Sequence, residues 1–154
     1  MPFDVALRYD PATRRCDLAI ERGDLAVDRT LATPMLVALF SDRRARPDDA
    51  LPSGVTEFLV PSAANPRRGW VGDALDGQGR RLGSLLWLLS REKQTEQTRL
   101  RAAAYAGDAL AGLAARTGLA ASVDAQWIRR GTLGLAARLG AKQVQLTLAV
   151  GAGA

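Results

Sequence analysis

The stretch "VDAQWIRRGTLGLAARLGAKQVQLTLAV", residues 123–150, decides the fold. Val123, Ala125 and Trp127 alternate with other residues, then "RRGT" turns. Leu133, Leu135, Ala137 and Leu139 alternate next, "GAK" turns, and Val144, Leu146, Leu148 and Val150 alternate. A period of two puts every second side chain on one face of a strand. The pattern predicts an antiparallel meander of three strands with a single apolar face. The last strand is expected at a sheet edge, and "QVQLTLAV" carries neither charge nor proline to blunt it.

An apolar sheet face needs a cover, and the segments upstream supply helices. "TEQTRLRAAAYAGDALAGLAARTG" (95–118) predicts one, with Thr95 as N-cap, Glu96 in the first turn and Gly118 at the end. Its expected buried stripe is Leu100, Ala103, Ala104, Gly107, Leu110, Ala111 and Ala114. "TLATPMLVALFSDRRA" (30–45) predicts a second helix, capped by Thr33 with Pro34 in the first position. Leu36, Leu39 and Phe40 share a face, and Arg43 and Arg44 suit the C-terminal end through the helix dipole. "SLLWLLSREKQ" (84–94) reads as a short helix capped by Ser84, with Leu85, Leu88 and Leu89 on one face and Trp87 off it. "CDLAIERGDLAVD" (16–28) predicts a β-hairpin turning at Gly23, and Phe3–Tyr9 and Val55–Val60 predict short strands. The fold class is therefore α+β, helices packed on antiparallel strands, as one domain over residues 1–150 with a mobile tail at 151–154.

Composition limits the chemistry. The 154 residues contain no histidine, which excludes histidine-dependent triads and zinc sites built on histidine. Cys16 is the single cysteine, so no internal disulfide forms. No apolar run reaches the roughly 18 residues of a spanning helix, and "MPFDVALRYD" shows no secretory pattern. The net charge is +5. Residues 1–77 hold ten basic and twelve acidic side chains, and residues 78–154 hold eleven and four. Five arginine doublets occur: Arg14-Arg15, Arg43-Arg44, Arg67-Arg68, Arg80-Arg81 and Arg129-Arg130. Scattered doublets favour solvated turns over a nucleic-acid face, which would concentrate charge. Asp73, Asp76 and Glu92 are the carboxylates to weigh for sugar hydrolysis, a reaction that needs two carboxyls across a cleft.

"RRGWVGDAL" (67–75) sets a tryptophan between glycines, which suits a turn that anchors Trp70 in the core or against a partner. Asp73 is expected to receive hydrogen bonds from an arginine or to cap the next turn. Four stretches in order, "ATPMLVALFSDRRARPDDALP", "RRGWVGDAL", "GSLLWLLSREKQTEQT" and "AAAYAGDALAGLAARTG", make the chain resemble the Mu-type phage tail baseplate wedge family. That family resembles the broader tail-lysozyme-like wedge proteins, or sheath initiators. The residues that carry the likeness are Arg68, Gly69, Trp70, Gly72 and Asp73, then Gly83, Ser84, Leu86 and Trp87.

The resemblance implies a non-enzymatic structural part of a contractile tail baseplate, in a phage or a related tailocin or secretion particle. Its implied partners are other wedge subunits and the tail sheath, with hub or tube as further neighbours. It implies a place in the virion tail after synthesis in the bacterial cytoplasm. No cofactor, metal, small-molecule substrate or membrane is expected, and nucleic acid is disfavoured. The residues expected to serve structure or partners are Arg68, Gly69, Trp70, Gly72, Asp73, Gly83 and Trp87, with Val144, Leu146 and Leu148 in the docking strand. The competing readings are a peptidoglycan hydrolase and a basic nucleic-acid-binding protein.

Overall fold

The computed structural model describes residues 4–52 and 65–151. The expected strand at Val55–Val60 lies outside them.

The C-terminal meander is present. β7 (Ala121–Arg129), β8 (Thr132–Leu139) and β9 (Lys142–Ala149) form an antiparallel sheet in the order β7-β8-β9. Leu133, Ala137 and Leu139 are 0% exposed on its inner face. α2 (Glu96–Thr117) lies across β7 and β8 on that face. The Thr95 side chain accepts the Thr98 N–H, and Gly118 ends the helix at φ +67°, a left-handed conformation that glycine adopts at little cost.

The face that α2 buries differs from the sequence expectation. Ala102, Ala106 and Leu110 are 0% exposed and Leu113 is nearly so, while Leu100, Ala104 and Ala111 face outward. Alanine sits on both sides of this helix, so apolarity alone does not select a face. The i, i+4 series 98, 102, 106 and 110 is the buried one: the small Thr98, Ala102 and Ala106 let the backbone approach the sheet, and Leu110 fills the core beyond them.

α1 (Ala32–Phe40) packs against α2 and β9, burying Met35, Leu36, Ala38 and Leu39. It is shorter than expected, and Thr33 is not its cap. Asp28 takes that task from outside the helix, accepting the Thr30 and Thr33 N–H groups, each at 2.7 Å. The Thr33 hydroxyl instead accepts the Leu7 N–H at 3.0 Å. Pro34 still falls in the first turn, where no intrahelical donor is lost. The helix stops at Ser41, whose backbone is extended, so Arg43 and Arg44 lie beyond it rather than in its last turn.

Residues 4–28 form three short antiparallel ribbons rather than one hairpin. β1 (Asp4–Val5) pairs with β6 (Val27–Asp28), β2 (Leu7–Asp10) with β3 (Arg15–Leu18), and β4 (Ile20–Glu21) with β5 (Asp24–Leu25). The ribbons meet at three alanines in a ring of hydrogen bonds. The Ala6 N–H donates to Ala26, the Ala26 N–H to Ala19 and the Ala19 N–H to Ala6, at 2.8 to 2.9 Å. The expected turn at Gly23 is present, with Arg22 at φ 54° and Gly23 at φ 84°. Ribbon β2–β3 reaches the sheet through Tyr9. Its ring packs 4.8 Å from the Phe40 ring, and its hydroxyl accepts the Thr147 N–H at 3.1 Å.

Two predictions follow from this packing. Ala106→Leu should destabilise the fold by about 1–3 kcal/mol through overpacking, whereas Ala104→Leu should change it by less than about 0.5 kcal/mol in chemical denaturation. Burial raises the Asp28 carboxyl, but the hydrogen bonds from Thr30 and Thr33 outweigh it and hold the group at about 2. A depressed carboxyl stabilises the fold above its unfolded value, and that contribution is lost as pH falls from about 4 towards the folded value. The melting temperature of Asp28→Asn should therefore fall less over that acid window than that of the unmodified chain.

Candidate functional site

The signature residues gather where the chain leaves α1. The Ser84 hydroxyl donates to the Leu39 carbonyl at 2.7 Å, its N–H donates to Ser41 O at 2.8 Å, and its own carbonyl accepts the Arg43 N–H at 2.9 Å. Ser84 therefore serves the end of α1 more than it caps the next element, since the Leu86 N–H reaches its hydroxyl only at 3.4 Å. Gly83 sits at φ +96°, and a Cβ there would collide with the Ser41 carbonyl oxygen. The expected helix is the 3-10 helix Leu86–Arg91. Its three-residue turn buries Leu86, Trp87, Leu88 and Leu89 together, so Trp87 is inside and Leu85 is only partly covered.

Of the two signature tryptophans, Trp87 is the buried one. It packs with Ala45 and Leu88, and its indole N–H donates to the Arg43 carbonyl at 2.9 Å. The Arg68 guanidinium stacks over its ring, 4.5 Å from the centroid, and pairs with Asp42 at 2.7 Å. The next residue, Gly69, adopts φ +98° and passes so close to Arg44 that a Cβ would stand 2.5 Å from the Arg44 Cβ.

Trp70, in contrast, is 58% exposed. Its ring lies over Gly72, where any Cβ would meet it. Val71 and Leu75, on the 3-10 helix Val71–Leu75, are 84% and 88% exposed. Of the two placements expected for Trp70, the core is ruled out, because the turn points its ring outward and the core place is taken by Trp87.

The three carboxylates each serve a local contact. Asp73 Oδ1 accepts the Leu82 N–H at 3.0 Å, which ties this turn to Gly83. Among the described residues no arginine bonds to it, and its buried Oδ2 has no partner. Asp76 caps the turn to Arg80. The Arg80 guanidinium and the Gln78 and Arg80 N–H groups hold its carboxyl at about 2, opposite to the raised value that a general acid needs. Glu92 pairs with Arg101 at 3.0 Å. Among the described residues, no three His, Cys, Asp or Glu side chains are placed to hold a metal ion, and no helix is long and apolar enough to cross a membrane.

Folding brings together arginines that the sequence scatters. Arg43, Arg44, Arg46, Arg67, Arg68 and Arg81 line one open cleft of about 970 Å³, with Asp73 and Asp108 as its acids and Trp70 and Val71 at its wall. Arg67 bonds the carbonyls of Arg46 and Pro47, and Arg44 bonds Asn65 and the Arg68 carbonyl. Arg43 is half-buried. Its Nη2 donates to the Asp108 carbonyl at 3.3 Å, and its buried Nε has no partner among the described residues. Burial, with the nearby Arg46 and Arg81 charges, lowers its pKa against the pull of Asp108 and Asp73.

A second feature lies at β9. The Val150 N–H donates inward to Gly131, so by alternation the even-numbered backbones of β9 pair with β8 and the odd ones face away. Val144, Leu146 and Leu148 turn their side chains into or against the core and their backbones towards β8, so at the edge only the backbone groups of the odd-numbered residues face away. Two outward donors are already taken, Thr147 N–H by Tyr9 and Gly151 N–H by the Ser90 carbonyl at 2.9 Å. Among the described residues no strand pairs with this side of β9.

The contacts of the signature residues are those of a scaffold: they join α1, the arginine-lined turn and the 3-10 helix before α2. A family model described as phage protein GP46 matches residues 31–146, from the start of α1 into β9, and the chain belongs to that family. It is also similar to baseplate protein gp46 of Escherichia phage Mu, with 44% identity over 96 residues, 62% of this chain and 59% of the relative. The chain thus spans about three-fifths of the length of that curated relative. No solved structure matches it.

The two tryptophans should separate in experiment. Trp87→Ala should cost about 3–5 kcal/mol in denaturant unfolding. Trp70→Ala should stay within about 1 kcal/mol of the unmodified protein, since little area leaves the core.

Proposed function

We propose that this protein is a structural component of a phage tail baseplate, and that within it the chain acts as a wedge-type subunit that joins its neighbours and starts the sheath. The observation that carries the baseplate reading is the 44% identity to a protein named for that assembly. The finer role draws support from the outer side of β9. Backbone groups of Gln143 and Gln145 face away from β8 in a stretch without proline, and no described strand covers them. A strand from a sheath or wedge neighbour can add there by β-augmentation, its main chain supplying the missing bonds. Tyr9 and Ser90 already occupy the C-terminal part of the edge, so the docking stretch is Lys142–Leu146.

Gln145→Pro is the direct test. The Gln145 N–H points away from β8, so proline leaves the intramolecular ladder intact while removing the donor an added strand needs. Thr147→Pro is less clean, because it also breaks the bond to Tyr9. The Gln145→Pro protein should fold and melt close to the unmodified chain yet fail to complete tails in a complementation assay. Normal tails built from a folded Gln145→Pro protein would remove the docking strand from the mechanism. Association with other baseplate proteins despite absent sheath contact would retain the baseplate reading.

A further inference from the structure

We infer that the arginine-lined cleft is a docking site for an acidic peptide segment of a partner protein, one that carries aspartate or glutamate side chains beside a bulky apolar residue. Six arginines and two aspartates line it. Arg68 is neutralised by Asp42, outside the cleft. The side chains of Arg46 and Arg81 make no ion pair among the described residues, and both are exposed. Both stand near enough to Arg43 to repel its charge. Three guanidinium groups therefore face a common space with too little negative charge among the described residues to balance them. Planar guanidinium forks match carboxylates in paired hydrogen bonds, and a carboxylate among them would relieve the mutual repulsion.

The apolar part of the ligand follows from the wall. Trp70 and Val71 line the cleft while remaining 58% and 84% exposed, and Leu75 continues the patch at 88%. An exposed tryptophan with aliphatic neighbours beside arginines has the composition of an interface centre. Gly72 leaves room for the Trp70 ring, since a Cβ there would stand within 2.6 Å of it.

A protein segment fits better than nucleic acid. Asp73 and Asp108 stand on the cleft walls, where their charges oppose a run of phosphates, while the exposed Asp108 can accept peptide N–H groups. Nucleic-acid sites also follow the backbone as a stripe or groove, whereas these arginines surround one concavity. The inference stands on the cleft alone and does not depend on the baseplate reading.

The test is selection of a displayed library of random twelve-residue peptides on the purified full chain. Peptides enriched on the unmodified chain should hold at least two Asp or Glu next to a bulky apolar residue. Fluorescence anisotropy of the most enriched peptide should then show affinity at least about tenfold weaker for Arg46→Gln/Arg81→Gln, as expected for lost charge-assisted contacts. The double variant Arg129→Gln/Arg130→Gln, at the distant β7–β8 turn, should bind as the unmodified chain does. Trp70→Ala should weaken binding without lowering the melting temperature. Failure to enrich acidic peptides, or equal losses in both arginine double variants, would overturn the proposal. So would tighter binding of a twelve-residue oligothymidylate, whose affinity falls steeply with salt, since that would make the cleft a polyanion site.

Discussion

The Ser84 hydroxyl donates to the Leu39 carbonyl from a residue that is 2% exposed, and the Ser84 backbone is bonded to residues 41 and 43. A helix end buried without partners for its carbonyls costs about 1–3 kcal/mol for each group left unpaired. Here the partner comes from 45 residues further along the chain. The contact fixes the direction in which residues 42–46 leave α1. It also places the 3-10 helix Leu86–Arg91 so that Trp87 can bond the Arg43 carbonyl. Arg68 then has a ring to stack on, and the glycine beside it can pass Arg44. The glycines of the signature thus answer close approaches in one junction, and Gly83, beside the Ser41 carbonyl, is the tightest of them.

That junction also sorts the charges. Along the chain, Asp42, Asp48 and Asp49 flank Arg43, Arg44 and Arg46 and balance them, and residues 1–77 together are slightly negative. In the fold two of these acids are engaged away from the cleft lining. Asp42 pairs with Arg68, and Asp49 accepts the Arg46 backbone N–H at 2.8 Å. The guanidinium groups are left facing the cleft. A charge balance counted along a sequence averages groups that a few hydrogen bonds then separate in space.

The legible parts of the fold were those with local causes. The C-terminal meander, Thr95, Gly118 and the Gly23 turn were each set by periodicity or by one residue's backbone preference. The buried face of α2 was not legible, since alanine occupies nearly every side. The cap of α1 was missed because Asp28 acts from five residues before Thr33, beyond the usual cap spacing. At the site, the sequence pointed to Arg68, Gly69, Gly72, Gly83 and Trp87 through resemblance, but not to their contacts. Trp70 lies between Gly69 and Val71 and Trp87 between Leu86 and Leu88, so both have apolar neighbours, and the fold shows that Trp87 is the one inside. The cleft could not be read at all, because Arg81 joins Arg43 and Arg46 through tertiary contacts that leave no pattern along the chain.

The ring formed by Ala6, Ala19 and Ala26 has a consequence for how this region can change over evolutionary time. The span matched by the family model begins at residue 31, so the three ribbons lie before it. Each ribbon leaves the ring as an independent arm. Arm β2–β3 is moored to β9 by Tyr9 and arm β1–β6 leads into α1, while arm β4–β5 ends at Arg22 and Gly23 with Ile20 72% exposed. Adding one cross-strand pair to that free arm lengthens its reach by about 3.4 Å and disturbs none of the three ring bonds. Loop closure grows only slowly more costly with length, so such insertions are cheap. The third arm is therefore a place where lineages can diverge, or where a tag can be grafted, while the helix–sheet body keeps its shape.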